Sequence, residues 1–370
     1  MTAPAPTVLH FVAEWLPPSE QFVYDLVTNL AHPGAVVSAG RPHGTERFPH
    51  PGLRTLAPVE RWVRPARLRP AAMAGALQAL ARQERAAVVH AHHGYRTELL
   101  APVLRRRRLP FVLSVHGHDV TGYLDQRPDP YRAVSPLVSA VVVPSRFVVP
   151  LVERAGLPAD RVRVLPSGID GRYFVPTALP EGDPVALFVG RFVAKKGLDV
   201  LAEAWPAVQA RLPRARLRIL GFGPLEALAR AIPGRVEVAT GPDRRAVRDA
   251  MRAATAVVTP SHAACDDAVE TLLMVNVEAQ ASGRPVVSTW HGGIPEYVVH
   301  GQTGLLVPES DPAALADALV RVLGDRELAT RLGEAGPATA AALDVRRTAG
   351  AVDRLYDELL AERAATPAAG

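Results

Sequence analysis

Short apolar runs recur along the whole chain, each followed by a stretch of helical character. This alternation limits the fold more than any single residue does. In the first half the runs are TVLHFV (7–12), AVVHA (87–91), FVLSV (111–115), AVVVP (140–144) and VRVLP (162–166), with helical stretches including 20–30, 70–83 and 146–155 between them. The second half repeats the scheme with VALFVG (185–190), RLRILG (216–221), VEVA (236–239), AVVTP (256–260), PVVST (285–289) and GLLVP (304–308). Strands apolar on both faces, separated by helices, belong to parallel sheets covered on both sides. The stretch 166–184 carries four Pro and three Gly and reads as a linker. The expected architecture is α/β, two doubly wound parallel-sheet domains facing each other across a cleft. Residues 1–168 would form the first domain, 169–184 the linker, and 185–342 the second domain. Residues 343–370 would form a closing helix that returns to the first domain.

At 370 residues and 48% hydrophobic content the chain suits two folded globular domains. Its one cysteine, Cys265, excludes an internal disulfide framework and fits a reducing compartment. The first residues lack a basic stretch ahead of their short apolar run, so no signal peptide is expected. The apolar stretch 134–152 is interrupted by Pro136, Pro144, Arg146 and Pro150, which excludes a membrane-spanning helix there. A cytoplasmic protein is the expectation.

The basic residues are unevenly distributed. Only two of the 42 are lysines, Lys195 and Lys196, and they stand side by side in FVGRFVAKKG. Chance clustering in an arginine-biased chain is one account of this. A flexible ammonium kept for phosphate is the other. Arg191 and Lys196 follow the strand that ends at Gly190, and Gly197 opens a helix, so both cations stand at the carboxyl edge of a parallel sheet, where such folds bind ligands. Between 41 and 108 there are 14 Arg against 4 Glu, a balance of +10 in a chain of +5. The run RRRR (105–108) reads as a solvated helix end, or as a basic face for an anionic membrane or an acidic acceptor. No aromatic interleaving or helix-turn-helix pattern accompanies it, so nucleic acid is not the expected partner.

Two further stretches carry chemistry. ETLLMVNVE (270–278) places Glu270 and Glu278 around a largely apolar core. On one continuous helix they would stand about 12 Å apart, too far to share a proton and far enough to hold two ends of a long ligand. The pair Asp266 and Asp267 suggests loop before them, with the helix starting near Leu272 or Leu273 and its free N–H groups forming an anion site. One exposed and one capping Glu is the competing reading. SVHGHDVTG (114–122) follows a strand of the first half and puts His116 at its carboxyl edge. A structural histidine is the competing reading there, and His116, His118 and Asp119 match no compact zinc spacing. His90, His92 and His93 end a neighbouring strand and read as strand-end packing, with a place in the site as the second choice.

These stretches together resemble the retaining glycosyltransferases of family 4. The likeness is strongest in FVGRFVAKKGLDVLAEA (188–204), VVVPSRFVVPLVERAGLPADRVRVLPSGID (141–170) and VEAQASGRPVVSTWHGGIPEYVVHGQTGLLVPESDP (277–312). The family's Glu-x7-Glu element is met by Glu270 and Glu278. The resemblance implies two Rossmann-like domains in the GT-B arrangement and a nucleoside diphosphate sugar as donor. Glu270 would face the transferred sugar, Glu278 would bind the ribose, and Arg191 and Lys196 would hold the diphosphate. His116 would lie by sugar and phosphate, and Gly241 in the loop ATGPD (239–243) near the base. Thr271, Leu272, Leu273 and Met274 would line the donor site at the helix start.

The sequence departs from the family in two places. Thr271, Leu272 and Leu273 replace a Gly-containing triplet, and LPPSEQFVYDL (16–26) replaces a Gly-Gly loop, with Ser19 as a candidate helix cap. The implied reaction is glycosyl transfer to an acceptor hydroxyl with retention, in polysaccharide or glycolipid synthesis, with neither metal nor cofactor. A lipid-linked, saccharide or small-molecule acceptor would be the partner, with weak membrane contact through the basic first domain at the inner face of the membrane. A nucleotide-sugar 2-epimerase, with Asp119 as an acidic group, or a degenerate non-catalytic binding partner, are the alternatives.

Overall fold

A computed structural model describes residues 6–17, 20–64, 66–263 and 269–365. Ser19, Cys265, Asp266 and Asp267, considered above, lie outside the described residues. Among the described residues the strands form two sheets, and every strand pairing is parallel. The chain divides into two compact units, residues 1–168 with 345–370, and residues 169–344.

The first unit holds β1 (Thr7–Val12), β2 (Gly34–Ser38), β3 (Leu53–Thr55), β4 (Ala86–Ala91), β5 (Phe111–Ser114), β6 (Ala140–Val143) and β7 (Val162–Val164), in the order 3-2-1-4-5-6-7. The apolar runs anticipate five of these strands. β2 and β3 are additions, the first starting at Gly34 and the second only three residues long. Alternate residues serve opposite layers, as the pleat requires. Leu9 and Phe11 join the layer built with Leu77 and Leu104, while Val8, Val88 and Val112 pack against Val352, Leu355 and Leu359 of the last helix, Val345–Ala365. That helix is also fixed by polar ties. Asp353 accepts the Ala31 and His32 backbone N–H groups, and the His32 ring lies 2.8 Å from Asp353 Oδ1 and 3.1 Å from Asp357 Oδ1.

The second unit holds β8 (Val185–Arg191), β9 (Arg216–Phe222), β10 (Val236–Thr240), β11 (Ala256–Thr259), β12 (Val286–Thr289) and β13 (Gly304–Val307), in the order 10-9-8-11-12-13. Ala256 and Val258 of β11 pack with Leu198, Leu201 and Trp205, and Val257 faces the other layer with Val277 and Ala279. Each fully buried aliphatic or aromatic side chain of this kind contributes about 1.5–3 kcal/mol. Residues 169–184 belong to this unit, and Ile169 bridges to Asp344 at its far end. In each sheet the strand order reverses once, between β1 and β4 and between β8 and β11. The loops leaving the carboxyl ends of such a pair diverge and open a crevice.

Candidate functional site

In the second unit the crevice lies between the loops after β8 and β11. The first of these carries Arg191, exposed at the strand end, then a short turn over Ala194–Lys196. Gly197 closes that turn at φ +67°, and a Cβ there would stand 1.8 Å from the Pro260 carbonyl oxygen. Only glycine lets the two loops approach this closely. The approach brings Lys196 Nζ within 2.8 Å of Glu270 Oε1, with Lys195 Nζ at 3.8 Å. Glu270 is 7% exposed. Burial works against its charge, but Lys196 and Lys195 outweigh it and hold the carboxyl below the usual range. A buried carboxylate needs a partner, and the only two lysines in the chain supply it.

The helix begins at Met274, so Glu270 precedes it and Glu278 sits on its second turn, half-buried. Thr271, Leu272 and Leu273 form the entry, with Thr271 and Leu273 buried and Leu272 partly so. None of the three is at positive φ, so substituting for glycine here strains no backbone. Among the described residues no side chain caps the helix N-terminus, which leaves its first N–H groups for a ligand. Gly241, at φ +65° after β10, is exposed with open space around its Cα.

The residues that hold this arrangement were not visible in the sequence. Thr259 donates from Oγ1 to Asn276 Oδ1 at 2.8 Å, tying the helix to β11, and Ser288 joins the same buried cluster. Glu270 has its backbone gripped on both sides by the 291–293 turn. Its N–H lies 3.4 Å from His291 Nε2, and its carbonyl accepts the Gly293 N–H at 2.8 Å. Gly292, at φ +55°, would carry a Cβ 2.1 Å from the same carbonyl oxygen.

His116 belongs to the first unit, in the loop after β5. Its ring packs edge-on against Phe22, with centroids 4.9 Å apart, and lies equally close to His93. His93 Nε2 is 3.4 Å from Glu20, and its Nδ1 is 3.5 Å from Asp119. Burial alone would lower the His93 pKa, but these two carboxylates raise it to about 10. Burial, and then the charge on His93, lowers His116 to about 4. A neutral imidazole therefore stands beside a charged one. Asp119, the acidic group considered for epimerase chemistry, is fully buried and accepts the backbone N–H groups of Gly94 and His116. Its lone pairs are committed to holding the loops together.

Deeper in this unit His10, His90 and His92 bring ring nitrogens within 4.8 Å of one another. His10 Nδ1 lies 3.0 Å from His92 Nε2, while His90 is engaged at both nitrogens, by Tyr356 at 2.5 Å and Ser114 at 2.7 Å. His90 and His92 are stacked at 4.2 Å and 29°, which keeps their in-plane lone pairs from converging on one ion. The cluster is a neutral hydrogen-bond network, and burial lowers all three pKa values.

Comparison with known proteins adds to this geometry. The family model described as Glycosyltransferase Family 4 matches residues 19–172, and that described as Glycosyl transferases group 1 matches residues 183–325. A GDP-mannose-dependent alpha-(1-6)-phosphatidylinositol monomannoside mannosyltransferase of Mycolicibacterium smegmatis is 33% identical over 64% of this chain and 67% of its own length. A D-inositol 3-phosphate glycosyltransferase of Nocardia farcinica is 34% identical over 57% of this chain, a match spanning about half (51%) of that relative. Among solved structures, sucrose-phosphate synthase from Thermosynechococcus elongatus superposes with a TM-score of 0.75 at 23% identity, covering 96% of this chain and all of that one. Anabaena HepE in complex with UDP-glucose gives 0.76 at 18% identity, covering 96% and 99%. Both likenesses confirm the two-domain GT-B fold.

Proposed function

This chain belongs to glycosyltransferase family 4, and from that membership we propose that it moves a glycosyl group from a nucleoside diphosphate sugar to an acceptor hydroxyl with retention of configuration. The observation that carries the proposal is the Lys196–Glu270 pair, buried at the strand-order reversal of the second sheet and next to an uncapped helix N-terminus. In the proposed mechanism Arg191, Lys196 and the N–H groups at the start of the Met274–Ala281 helix meet the charge that develops on the leaving diphosphate, chemistry that calls for no metal. Glu270, already charged and held by Lys196, faces the transferred sugar. Glu278 takes the ribose and Gly241 lies by the base. UDP and GDP are the nucleotides to try first, since relatives are described with each.

Calorimetry with UDP and GDP tests the phosphate assignment. Arg191→Ala and Lys196→Ala should each weaken binding by about 1.5–3 kcal/mol, the worth of one charge-assisted contact. Unchanged affinity in both variants would remove the assignment.

For the acceptor we propose a lipid-linked or saccharide hydroxyl reached at an anionic membrane surface. Trp62 is 73% exposed and Leu68 49%, among exposed Arg61, Arg64 and Arg67 in the basic stretch. An exposed aromatic between arginines suits the headgroup region. No helix of the described residues is long and apolar enough to cross a membrane, so such contact would be peripheral. Flotation with anionic vesicles should show weak binding that salt removes, and no binding even at low salt would discard this part of the proposal.

A further inference from the structure

His291 and Glu309 have no role in the donor site as described, yet they are built onto it. His291 is buried, with Nδ1 2.9 Å from Glu309 Oε1. A carboxylate only accepts, so the Nδ1 nitrogen carries a proton, and with Nε2 set opposite a backbone N–H donor the tautomer that fits presents a lone pair there. That lone pair faces the Glu270 N–H at 3.4 Å. The second oxygen of Glu309 accepts the Ala263 N–H at 2.8 Å. One carboxylate thus holds the backbone at 263 directly and at 270 through the imidazole. β11 ends at Thr259 and the next helix starts at Met274, so neither a ladder nor a helical turn fixes Glu270.

We infer that His291, kept in one tautomer by Glu309, is a positioning residue that sets the backbone of Glu270 and so aims its carboxylate. The inference rests on the proposed assignment of Glu270 to the transferred sugar. The nucleotide-binding groups named above do not pass through this pair. Its loss should therefore act on turnover and spare nucleotide affinity.

Three measurements on the full chain test this. In ¹⁵N-histidine spectra, with His291 identified by its absence from His291→Asn, Nδ1 should carry the proton and Nε2 should be bare. Glu309→Gln has one oxygen for two donors; with that oxygen on Ala263, its amide faces Nδ1 and the proton moves to Nε2. Amide exchange at Glu270 should quicken at least about tenfold in His291→Asn, whose shorter side chain reaches Glu309 and not Glu270, because the bond that protects this amide is gone. His291→Gln places its amide oxygen where Nε2 stood and should restore protection.

The third readout is acceptor-free hydrolysis of UDP-glucose or GDP-mannose, whichever the wild-type chain turns over faster. His291→Asn should lower kcat roughly 10- to 100-fold while UDP or GDP affinity stays within about twofold, and His291→Gln should recover most of it. A protonated Nε2 in the wild type, unchanged exchange at Glu270 in His291→Asn, or equal turnover in the Asn and Gln variants would overturn the inference. Glu270→Gln is run beside them. If that variant keeps full turnover, the assignment of Glu270 to the sugar falls and the aiming role falls with it, while the exchange data still report the bond. If Glu270→Gln loses turnover and His291→Asn does not, the positioning role alone is refuted.

Discussion

Breaking the Lys196–Glu270 pair from either side should give different results, and the distances say by how much. At 2.8 Å and an effective dielectric near 20, the direct attraction is about 6 kcal/mol, and Lys195 at 3.8 Å adds about 4. Both partners of the closer pair are nearly buried, with side chains 14% and 8% exposed, so solvent screens little of this. Desolvation offsets much of the gross attraction, and removing one partner of a buried pair typically costs about 3–5 kcal/mol. Lys196→Met leaves Glu270 with Lys195, so its cost should fall short of that range, at about 2–3 kcal/mol, and the Glu270 carboxyl should titrate higher. Glu270→Gln takes the carboxylate from both lysines and should cost about 3–5 kcal/mol, and the double variant should cost less than the sum, giving a coupling of at least about 2 kcal/mol. Urea unfolding of the four proteins measures this. Titration with UDP and GDP supplies the functional arm, because the uncharged glutamine unmasks Lys196. Affinity in Glu270→Gln should hold or rise while turnover falls. Additivity of the two substitutions within about 0.5 kcal/mol would show that the pair is not coupled, and a loss of nucleotide affinity in Glu270→Gln would place Glu270 on the nucleotide.

Two other predictions concern stability. His10 is held neutral, with its pKa lowered from 6.5 to about 3, so the unfolded chain binds a proton that the folded one refuses. Stability should therefore fall as pH drops below about 6.5 and keep falling to about 3. His93 has the opposite sign, raised to about 10, and its contribution is complete below 6.5 and lost as pH rises to 10. Thermal melts should peak near neutrality, and a flat profile from pH 5 to 9 would contradict both. Gly197→Ala should destabilise the second unit by more than about 3 kcal/mol, since it combines a left-handed φ with a Cβ 1.8 Å from the Pro260 oxygen. Near-wild-type urea stability would show that the two loops separate freely.

The sequence revealed the strands whose apolar runs are long, and it lost those that are short. β2 has only Ala35, Val36 and Val37 as its apolar run, behind Pro33 and Gly34, and β3 is Leu53–Thr55, with one apolar residue. Neither rises above the loop pattern until β1 supplies a neighbour. Lys196 and Glu270 could be found because lysine is rare and a carboxylate stands in an apolar stretch. His291 and Glu309 could not, because nothing near either in sequence marks them. Their meaning lies in contacts 21 and 46 residues away. The same holds for Glu20 and His93, joined only when β1 and β4 become neighbours. Thr271 to Leu273 stand where the family carries glycine, and none of the three is at positive φ, a fact of the backbone that the residue types alone do not reveal.

The second unit is one unbroken stretch of chain, 169–344, inserted into a first unit whose last helix comes after it. During synthesis, then, the segment made first is finished last. Residues 1–168 emerge with Val8, Val88, Val112 and Val142 bare on one side of their sheet, and Tyr356, Leu355 and Leu359 are nearly two hundred residues away from the tunnel's exit. The usual order of vectorial folding, amino-terminal domain before carboxyl-terminal, should therefore be reversed here. A nascent chain arrested just after residue 344 has left the ribosome should yield a protease-resistant core from 169–344 and a digestible amino-terminal half. Releasing 345–365 should convert that half to the resistant form in one step.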